Sequence, residues 1–220
     1  MRIKKKLLFT GLVIAAFLST TVLSAHAAAL KPIKLPSPQT TGGKPLMQAL
    51  KERKSQRAFS PRELPLQVIS DMLWAACGVN RPESGLRTAP TAKNMQEIDV
   101  YVATAEGLYL YDAKENELEP VLAADIRGAT GSQGFVKDAP VNLIFVSDAG
   151  RMTGMPPEVK EFYAATDTGY ISQNVYLYCA SVGLATVVRG WVDRPALAKA
   201  MKLSADQQVV LAQTVGYPKE

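Results

Sequence analysis

The chain has 220 residues, and its 25 Lys and Arg side chains against 20 Asp and Glu give a net charge of +5. Four of those cations stand within the first six residues, where there is no acid, so residues 28–220 carry a net charge of only +1. This near-neutral charge excludes the basic footprint of a nucleic-acid-binding protein, and no nucleic-acid partner is expected.

The first 27 residues have the pattern of a secretory signal peptide. A basic start is followed by an apolar run over residues 7–23, and residues 25–27 (AHA) match an A-x-A cleavage site. There is no twin-arginine pair and no cysteine at the cleavage point, so we expect export by the general secretory route to the periplasm or medium. An uncleaved membrane anchor is the alternative, but the run is short for a span.

Composition divides the chain into three parts. Residues 1–27 are the predicted signal peptide, and residues 28–44 form an N-terminal arm rich in Pro, Lys, Thr and Gly. Residues 45–220 have the length of one domain with its own hydrophobic core.

The few histidines and cysteines limit the chemistry. The only histidine, His26, lies in the predicted leader. Residues 28–220 therefore cannot use a Ser-His-Asp or Cys-His mechanism, and they offer no imidazole to a metal. Cys77 and Cys179 lie in apolar helical patterns, so two buried thiols are expected. A disulfide in an oxidising compartment is the alternative.

Hydrophobic periodicity predicts alternating helices and hairpins. The order is typical of an α+β domain, with a mainly antiparallel sheet flanked by a few helices. The second half of the longest helix is apolar nearly all round, which suggests burial against a second subunit. A polar loop is predicted over residues 80–95. Helices are predicted over residues 45–53, 66–77, 118–129, 158–182 and 195–201, and strands over residues 98–103, 108–111, 141–147, 184–188 and 208–215.

The densest positive charge outside the leader is at residues 53–57 (RKSQR). A phosphate group would satisfy this cluster, because its oxygens accept hydrogen bonds from guanidinium, ammonium and hydroxyl groups alike. A solvated helix end, where cations complement the helix dipole, explains the same residues. The cluster alone leaves both interpretations open.

Further short motifs follow the cluster in a fixed order. They are residues 90–96 (PTAKNMQ), 167–169 (DTG) with 173–175 (QNV), 183–186 (GLAT) and 216–218 (GYP). Together with residues 53–57 they resemble the FMN-dependent nitroreductase family over residues 46–218. The resemblance is closer to the compact branch with the azoline-oxidising dehydrogenases than to the longer bacterial nitroreductases.

The resemblance implies an FMN cofactor whose phosphate and ribityl chain are held by the cationic cluster. Many members place further cations after the C-terminal glycine, where this chain offers only Lys219. Arg189 is the other candidate for that task. The cluster residues that match the family's phosphate segment are Arg53, Lys54, Ser55 and Arg57.

The resemblance also implies how the flavin ring is held. Asn94 matches an asparagine that hydrogen-bonds the polar edge of the ring, and Thr91 and Gln96 line the same pocket. Gly190 matches a glycine whose N–H approaches flavin N5. The implied fold is a nitroreductase-like intertwined homodimer with two flavin sites between subunits, in which residues 170–182 belong to the central dimer helix.

The implied function is that of an FMN-dependent oxidoreductase. Hydride would pass through flavin N5 in a ping-pong mechanism, to or from a small organic substrate such as a nitroaromatic or a quinone. Neither a metal nor a catalytic protein residue is required. The electron donor, NAD(P)H or another reductant, stays open. The alternatives are a specialised flavin-dependent dehydrogenase or dehalogenase, and a non-catalytic periplasmic dimeric binding protein that has lost FMN.

Overall fold

The structure is a computed structural model that describes residues 30–219. Two kinds of element make up this part of the chain, strands and α-helices, joined by short 3-10 turns. The strands are β1 (Ile33–Lys34), β2 (Val79–Arg81), β3 (Leu86–Arg87), β4 (Ile98–Ala103), β5 (Leu108–Asp112), β6 (Glu117–Leu122), β7 (Val141–Asp148), β8 (Ala185–Arg189) and β9 (Gln207–Gly216). The helices are α1 (Leu46–Glu52), α2 (Leu66–Cys77), α3 (Pro157–Val182) and α4 (Arg194–Met201).

A seven-stranded sheet forms the centre of the domain, in the order β1-β6-β5-β4-β7-β9-β8. Every pair of neighbouring strands is antiparallel. In β7 every residue before Asp148 is buried, as its predominantly apolar sequence predicts for a central strand. The predicted α+β class with a mainly antiparallel sheet is confirmed.

Helices cover both faces of this sheet. On one face, α2 and α3 pack together over the larger hydrophobic core, which includes Met72 and Leu73 of α2 and Val175 of α3. On the other face, α4 packs on β9 around Leu197 and Met201. Helix α3 ends at Gly183, which adopts the left-handed conformation (φ 79°) that glycine tolerates best.

The predicted helix over residues 118–129 is wrong. Residues 117–122 form strand β6, which pairs with β5 on one side and β1 on the other. Leu118, Val121 and Leu122 have the i, i+3, i+4 spacing of a helix, but the backbone of this segment pairs instead with β5, from Glu117 opposite Asp112 to Leu122 opposite Leu108. The end of the predicted helix is only a 3-10 turn, Arg127–Thr130.

The described part of the N-terminal arm lies against its own domain. Strand β1 pairs with β6, and the Gln39 N–H donates to Asp71 Oδ1 on α2 at 2.7 Å. The predicted polar loop, residues 80–95, is partly ordered as a small hairpin of β2 and β3. The predicted signal peptide lies outside the described residues. Among the helices of residues 30–219, none is long and apolar enough to cross a membrane.

Both cysteines are free and buried, which confirms the prediction of two thiols. Burial in apolar surroundings raises the pKa of Cys77 to about 11 and also raises the pKa of Cys179. Neither thiol is therefore a ready nucleophile at neutral pH.

Candidate functional site

Tyr176 on α3 joins the cationic cluster to the end of β8. Its hydroxyl lies 2.7 Å from Ser55 Oγ, and its ring lies 5.2 Å from the guanidinium carbon of Arg53, a cation–π distance. The same hydroxyl accepts the Val188 N–H at 3.0 Å, two residues before Gly190. Sequence reasoning placed Tyr176 only in the dimer helix. The sequence signal that could have identified Tyr176 as a site residue was its hydroxyl group within a buried apolar stretch, because buried tyrosines usually have a polar partner.

Replacing Tyr176 by phenylalanine should loosen the cationic cluster without removing a charge. The half-buried Val188 N–H would lose its acceptor and Ser55 its partner, so we expect stability to fall by about 1–2 kcal/mol. Thermal or urea unfolding of the purified variant measures this loss. Tyr163→Phe is the matched control, because no hydrogen bond of the Tyr163 hydroxyl is present within residues 30–219. Equal stability of both variants would contradict this role.

The C-terminal segment lies directly against the cluster. The Lys219 N–H donates to Ala58 O at 3.1 Å, and Phe59 forms a β-bridge with Pro218. As a result Arg57 and Lys219, which are 162 positions apart in the chain, line one cavity of about 1100 Å³. The cavity lies between residues 57–69, the β4–β5 turn and residues 127–141.

The cations of the cluster and Lys219 form no salt bridge within residues 30–219. None of the salt bridges in this part of the chain includes them. Arg57 and Lys219 share their cavity with the carboxylates of Glu63, Glu106 and Asp138 but form no ion pair with them. Cations without an ion-pair partner are available to an anion with several acceptor oxygens, such as a phosphate. The four side chains are Arg53, Lys54, Arg57 and Lys219.

The predicted flavin-ring residues form a second cluster, within one loop. Thr91 Oγ1 accepts the Gln96 N–H at 3.0 Å, and Gln96 Nε2 donates to Asn94 Oδ1 and to Gly85 O, both at 3.0 Å. Lys93, Asn94 and Gln96 have left-handed backbones, with φ of 51°, 55° and 49°. For residues other than glycine this costs about 1–3 kcal/mol each, so the surrounding structure must hold the loop in place.

Two side chains from other elements hold this loop. Asp167 Oδ2 on α3 accepts the Ala92 N–H at 3.0 Å. Arg151, which follows β7, donates from Nη1 to Gln96 O at 2.9 Å. The loop is thus tied at both ends to the core of the domain.

The two clusters lie on opposite sides of α3. Tyr176 contacts the cationic cluster and Asp167 contacts the loop, and these positions are separated by nine residues of helix. At about 1.5 Å and 100° per residue, nine residues separate them by about 13 Å and half a turn. Within one chain the cationic cluster and the loop of Asn94 therefore do not form a single pocket.

Arg189 is not brought together with the other predicted site residues. Its guanidinium is buried, with the side chain only 5% exposed, and it donates to Thr130 O and to Asn142 Oδ1. Burial lowers its pKa to about 10. A guanidinium enclosed in this way stabilises the protein interior through its hydrogen bonds and is not available to a phosphate near Lys219.

Comparison with known proteins assigns the chain to a family. The model of the family described as "Nitroreductase family" matches residues 50–217, which is most of the chain. The chain belongs to the nitroreductase family. This confirms the family resemblance that the motifs of residues 53–57 and 90–96 suggested.

Individual relatives of this nitroreductase-family chain agree with that assignment. A nitroreductase homologue of Methanocaldococcus jannaschii is 30% identical in an alignment of 155 residues that covers 66% of this chain and 78% of the relative. A nitroreductase homologue of Ralstonia eutropha JMP134, known from a crystal structure, is 47% identical, with 87% of this chain and 93% of that chain covered and a TM-score of 0.83. The NADPH:FMN oxidoreductase of Vibrio harveyi, at 18% identity and a TM-score of 0.59, shares the fold, with 80% of this chain and 69% of that chain covered.

Gly190 of this nitroreductase-family chain is exposed at the end of β8. A Cβ there would lie 3.7 Å from Leu211 Cδ2, an ordinary contact, and the backbone is not left-handed. Neither packing nor conformation within residues 30–219 therefore requires a glycine. The exposed backbone of Gly190 is accessible to a molecule from outside the chain.

The described part of this family member contains no candidate metal-binding site of three or more side chains. Among residues 30–219, no group of three or more His, Cys, Asp or Glu side chains is arranged to hold a metal ion. The side chains that the fold gathers are instead cations, amides and hydroxyls, which suit an organic phosphate cofactor.

Proposed function

We propose that this chain is an FMN-dependent oxidoreductase that acts as a homodimer on small organic molecules. The observation that carries the proposal is that Arg57 of the cationic cluster and Lys219 line one cavity and form no ion pair within residues 30–219. A phosphate ester is the ligand that fits such donors best. Membership of the nitroreductase family and the name of the Vibrio harveyi neighbour support FMN as that ester.

Each cluster has its own task in this proposal. Arg53, Lys54, Arg57 and Lys219 hold the phosphate, and Ser55 adds a hydroxyl to the ribityl chain. Because the two clusters lie on opposite sides of α3, the loop of residues 91–96 comes from the partner subunit to the polar edge of the ring. The loop side chains with this role are Thr91, Asn94 and Gln96.

The chain itself supplies binding and orientation rather than acid–base catalysis. FMN, when bound, supplies the hydride chemistry through N5, and a single pocket that serves both substrates in turn makes the kinetics ping-pong. The donors of the loop and the Gly190 N–H favour the reduced, more negative flavin electrostatically. The substrate class is a nitroaromatic, a quinone or a similar small acceptor, with NAD(P)H or another reductant as the electron donor.

The visible spectrum of the purified protein tests the cofactor. We expect flavin absorbance bands as isolated, or after addition of FMN to the apoprotein and removal of the excess. Riboflavin, which lacks the phosphate, should bind more weakly than FMN. Absence of flavin bands under both conditions would contradict the proposal and favour a dimeric binding protein without FMN.

The proposal also includes export of the protein and its membership of the compact branch of the family, the branch with the azoline-oxidising dehydrogenases. The basic start, apolar run and AHA site of residues 1–27 support cleavage before residue 28 and delivery to the periplasm. Mass spectrometry of the protein recovered from the periplasmic fraction should give an N-terminus at residue 28. Recovery of the full-length chain from the cytoplasm would contradict export.

A further inference from the structure

A buried carboxyl group follows directly after the loop that carries Asn94 and Gln96. Glu97 is 0% exposed, and neither of its carboxyl oxygens has a hydrogen-bond donor within residues 30–219. It lies next to the carboxyl group of Asp167, which is 2% exposed. Two adjacent buried carboxylates repel each other and can form a hydrogen bond only if one of them carries a proton.

The surroundings favour a proton on Glu97. Burial and the neighbouring Asp167 carboxyl group together raise the pKa of Glu97 to about 7, while the Glu97 backbone N–H and the charge of Arg151 act in the opposite direction. The Arg151 guanidinium is already engaged by two other carboxylates, Asp99 at 2.8 Å and Asp148 at 3.5 Å. Glu97 therefore faces Asp167 of α3 and an arginine that is already paired with Asp99 of β4 and Asp148 of β7. No further cation is available to neutralise its charge within residues 30–219.

Asp167 has a second task that connects this pair with the loop. Its Oδ2 atom accepts the Ala92 N–H, the first hydrogen bond of the turn that sets the left-handed residues Lys93 and Asn94. A proton shared between Glu97 and Asp167 therefore joins both ends of the loop to α3. Loss of that proton places two negative charges under the loop.

We propose that Glu97, in its protonated form, donates a hydrogen bond to Asp167, and that this carboxyl–carboxylate pair positions the loop of residues 91–96 for cofactor binding. Glu97 and Asp167 are positioning residues in this proposal and need not touch the cofactor. The part that concerns FMN rests on the proposed function. The part that concerns the shared proton does not.

The pair makes stability depend on pH in a defined direction. The pKa of Glu97 is higher in the folded chain (about 7) than its ordinary value of 4.5, so folding favours the protonated form. The stabilisation is complete below about pH 4.5 and is lost as the pH rises through about 7. FMN affinity should fall over the same interval, because the loop loses its anchor.

Thermal unfolding of the apoprotein between pH 5 and pH 8 tests the shared proton without any flavin. We expect the midpoint of the native chain to fall by about 5–10 °C over this interval. Glu97→Gln keeps a donor toward Asp167 and has no titrating group, so its midpoint should stay nearly constant. Glu97→Ala should be the least stable at pH 5. Glu119→Gln, which removes an exposed carboxylate on β6, should behave like the native chain.

FMN titrations at pH 6 and pH 8 test the positioning role. The native chain should lose about ten-fold in affinity between these pH values, and Glu97→Gln should lose less than about two-fold. If no variant binds FMN but the unfolding midpoints differ as expected, the proposed function fails and the shared proton stands.

Two results would overturn the inference itself. One is a native midpoint that does not fall between pH 5 and pH 8, and the other is a Glu97→Gln variant as unstable as Glu97→Ala. Should Glu97→Gln fail to fold, Asp167→Asn provides the reciprocal measurement, since its amide can accept the Ala92 N–H and donate to ionised Glu97. A pH dependence unchanged in Asp167→Asn would overturn the inference equally.

Discussion

Replacing Arg53 and Arg57 together by alanine should weaken FMN binding by a factor of about one hundred to ten thousand. Each guanidinium is proposed to form a charge-assisted contact with the phosphate, and a contact of this kind contributes about 1.5–3 kcal/mol. Two such losses, at about 1.4 kcal/mol for each factor of ten, give this range. Fluorescence titration of the apoprotein with FMN measures the change.

Single variants separate binding from stability. Arg53 also stacks on Tyr176, so Arg53→Ala should cost some stability as well as affinity. Arg57 is exposed, so Arg57→Ala should lower affinity alone. Arg62→Ala is the matched control. Arg62 is an exposed cation five positions further along that stacks on Tyr217 at 4.3 Å. If the double variant retains native affinity, or Arg62→Ala loses as much, the phosphate assignment is wrong.

Gly169→Arg should dissociate the proposed homodimer. Gly169 is exposed on α3, and no atom outside its own helix backbone and immediate neighbours lies within 4 Å of its Cβ position in residues 30–219. It lies on the exposed side of α3 with Phe162 and Tyr170, which are 64% and 47% exposed. An unpaired charge buried between two subunits costs several kcal/mol, so the dimer should weaken by a factor on the order of a thousand.

The monomer itself should tolerate this change, because glycine is a poor helix former and arginine gains up to about 1 kcal/mol there. FMN binding should disappear together with the dimer, since the two clusters lie on opposite sides of α3. Sedimentation velocity measures the dissociation of the dimer, and flavin absorbance measures the bound FMN. Gly134→Arg, at another open and exposed glycine, is the control. A Gly169→Arg variant that remains a dimer with bound flavin would show that another surface forms the interface.

Local sequence patterns predicted most of the elements. The helix over residues 66–77 and the strand over residues 98–103 have the predicted bounds. The helix repeats its apolar residues with helical spacing between Pro65 and Gly78, whereas the strand is a short, mainly apolar run with two valines, an isoleucine and a tyrosine. The failure over residues 118–129 has a clear cause, because Leu118, Val121 and Leu122 fit a helix while pairing with β5 is a contact that no local pattern contains.

The site was predicted only in part for a similar reason. The cationic cluster is continuous in the sequence and could be recognised there. Its connection to Lys219 depends on the bridge between Phe59 and Pro218, a contact between residues far apart in the chain that no local pattern contains. Arg189 looked like a further cation for the same purpose, but its position in β8 turns the guanidinium toward Thr130 and Asn142.

The sequence by itself determined the α+β class, the family resemblance and the positions of the two polar clusters. These properties depend on composition and on the spacing of residues close together in the sequence, so they can be recognised without the tertiary structure. The tertiary structure alone decided that Tyr176 and Asp167 divide the clusters between two sides of α3, and that Glu97 is buried beside Asp167. Such contacts join residues far apart in the chain, and they exist only once burial has removed water from between them.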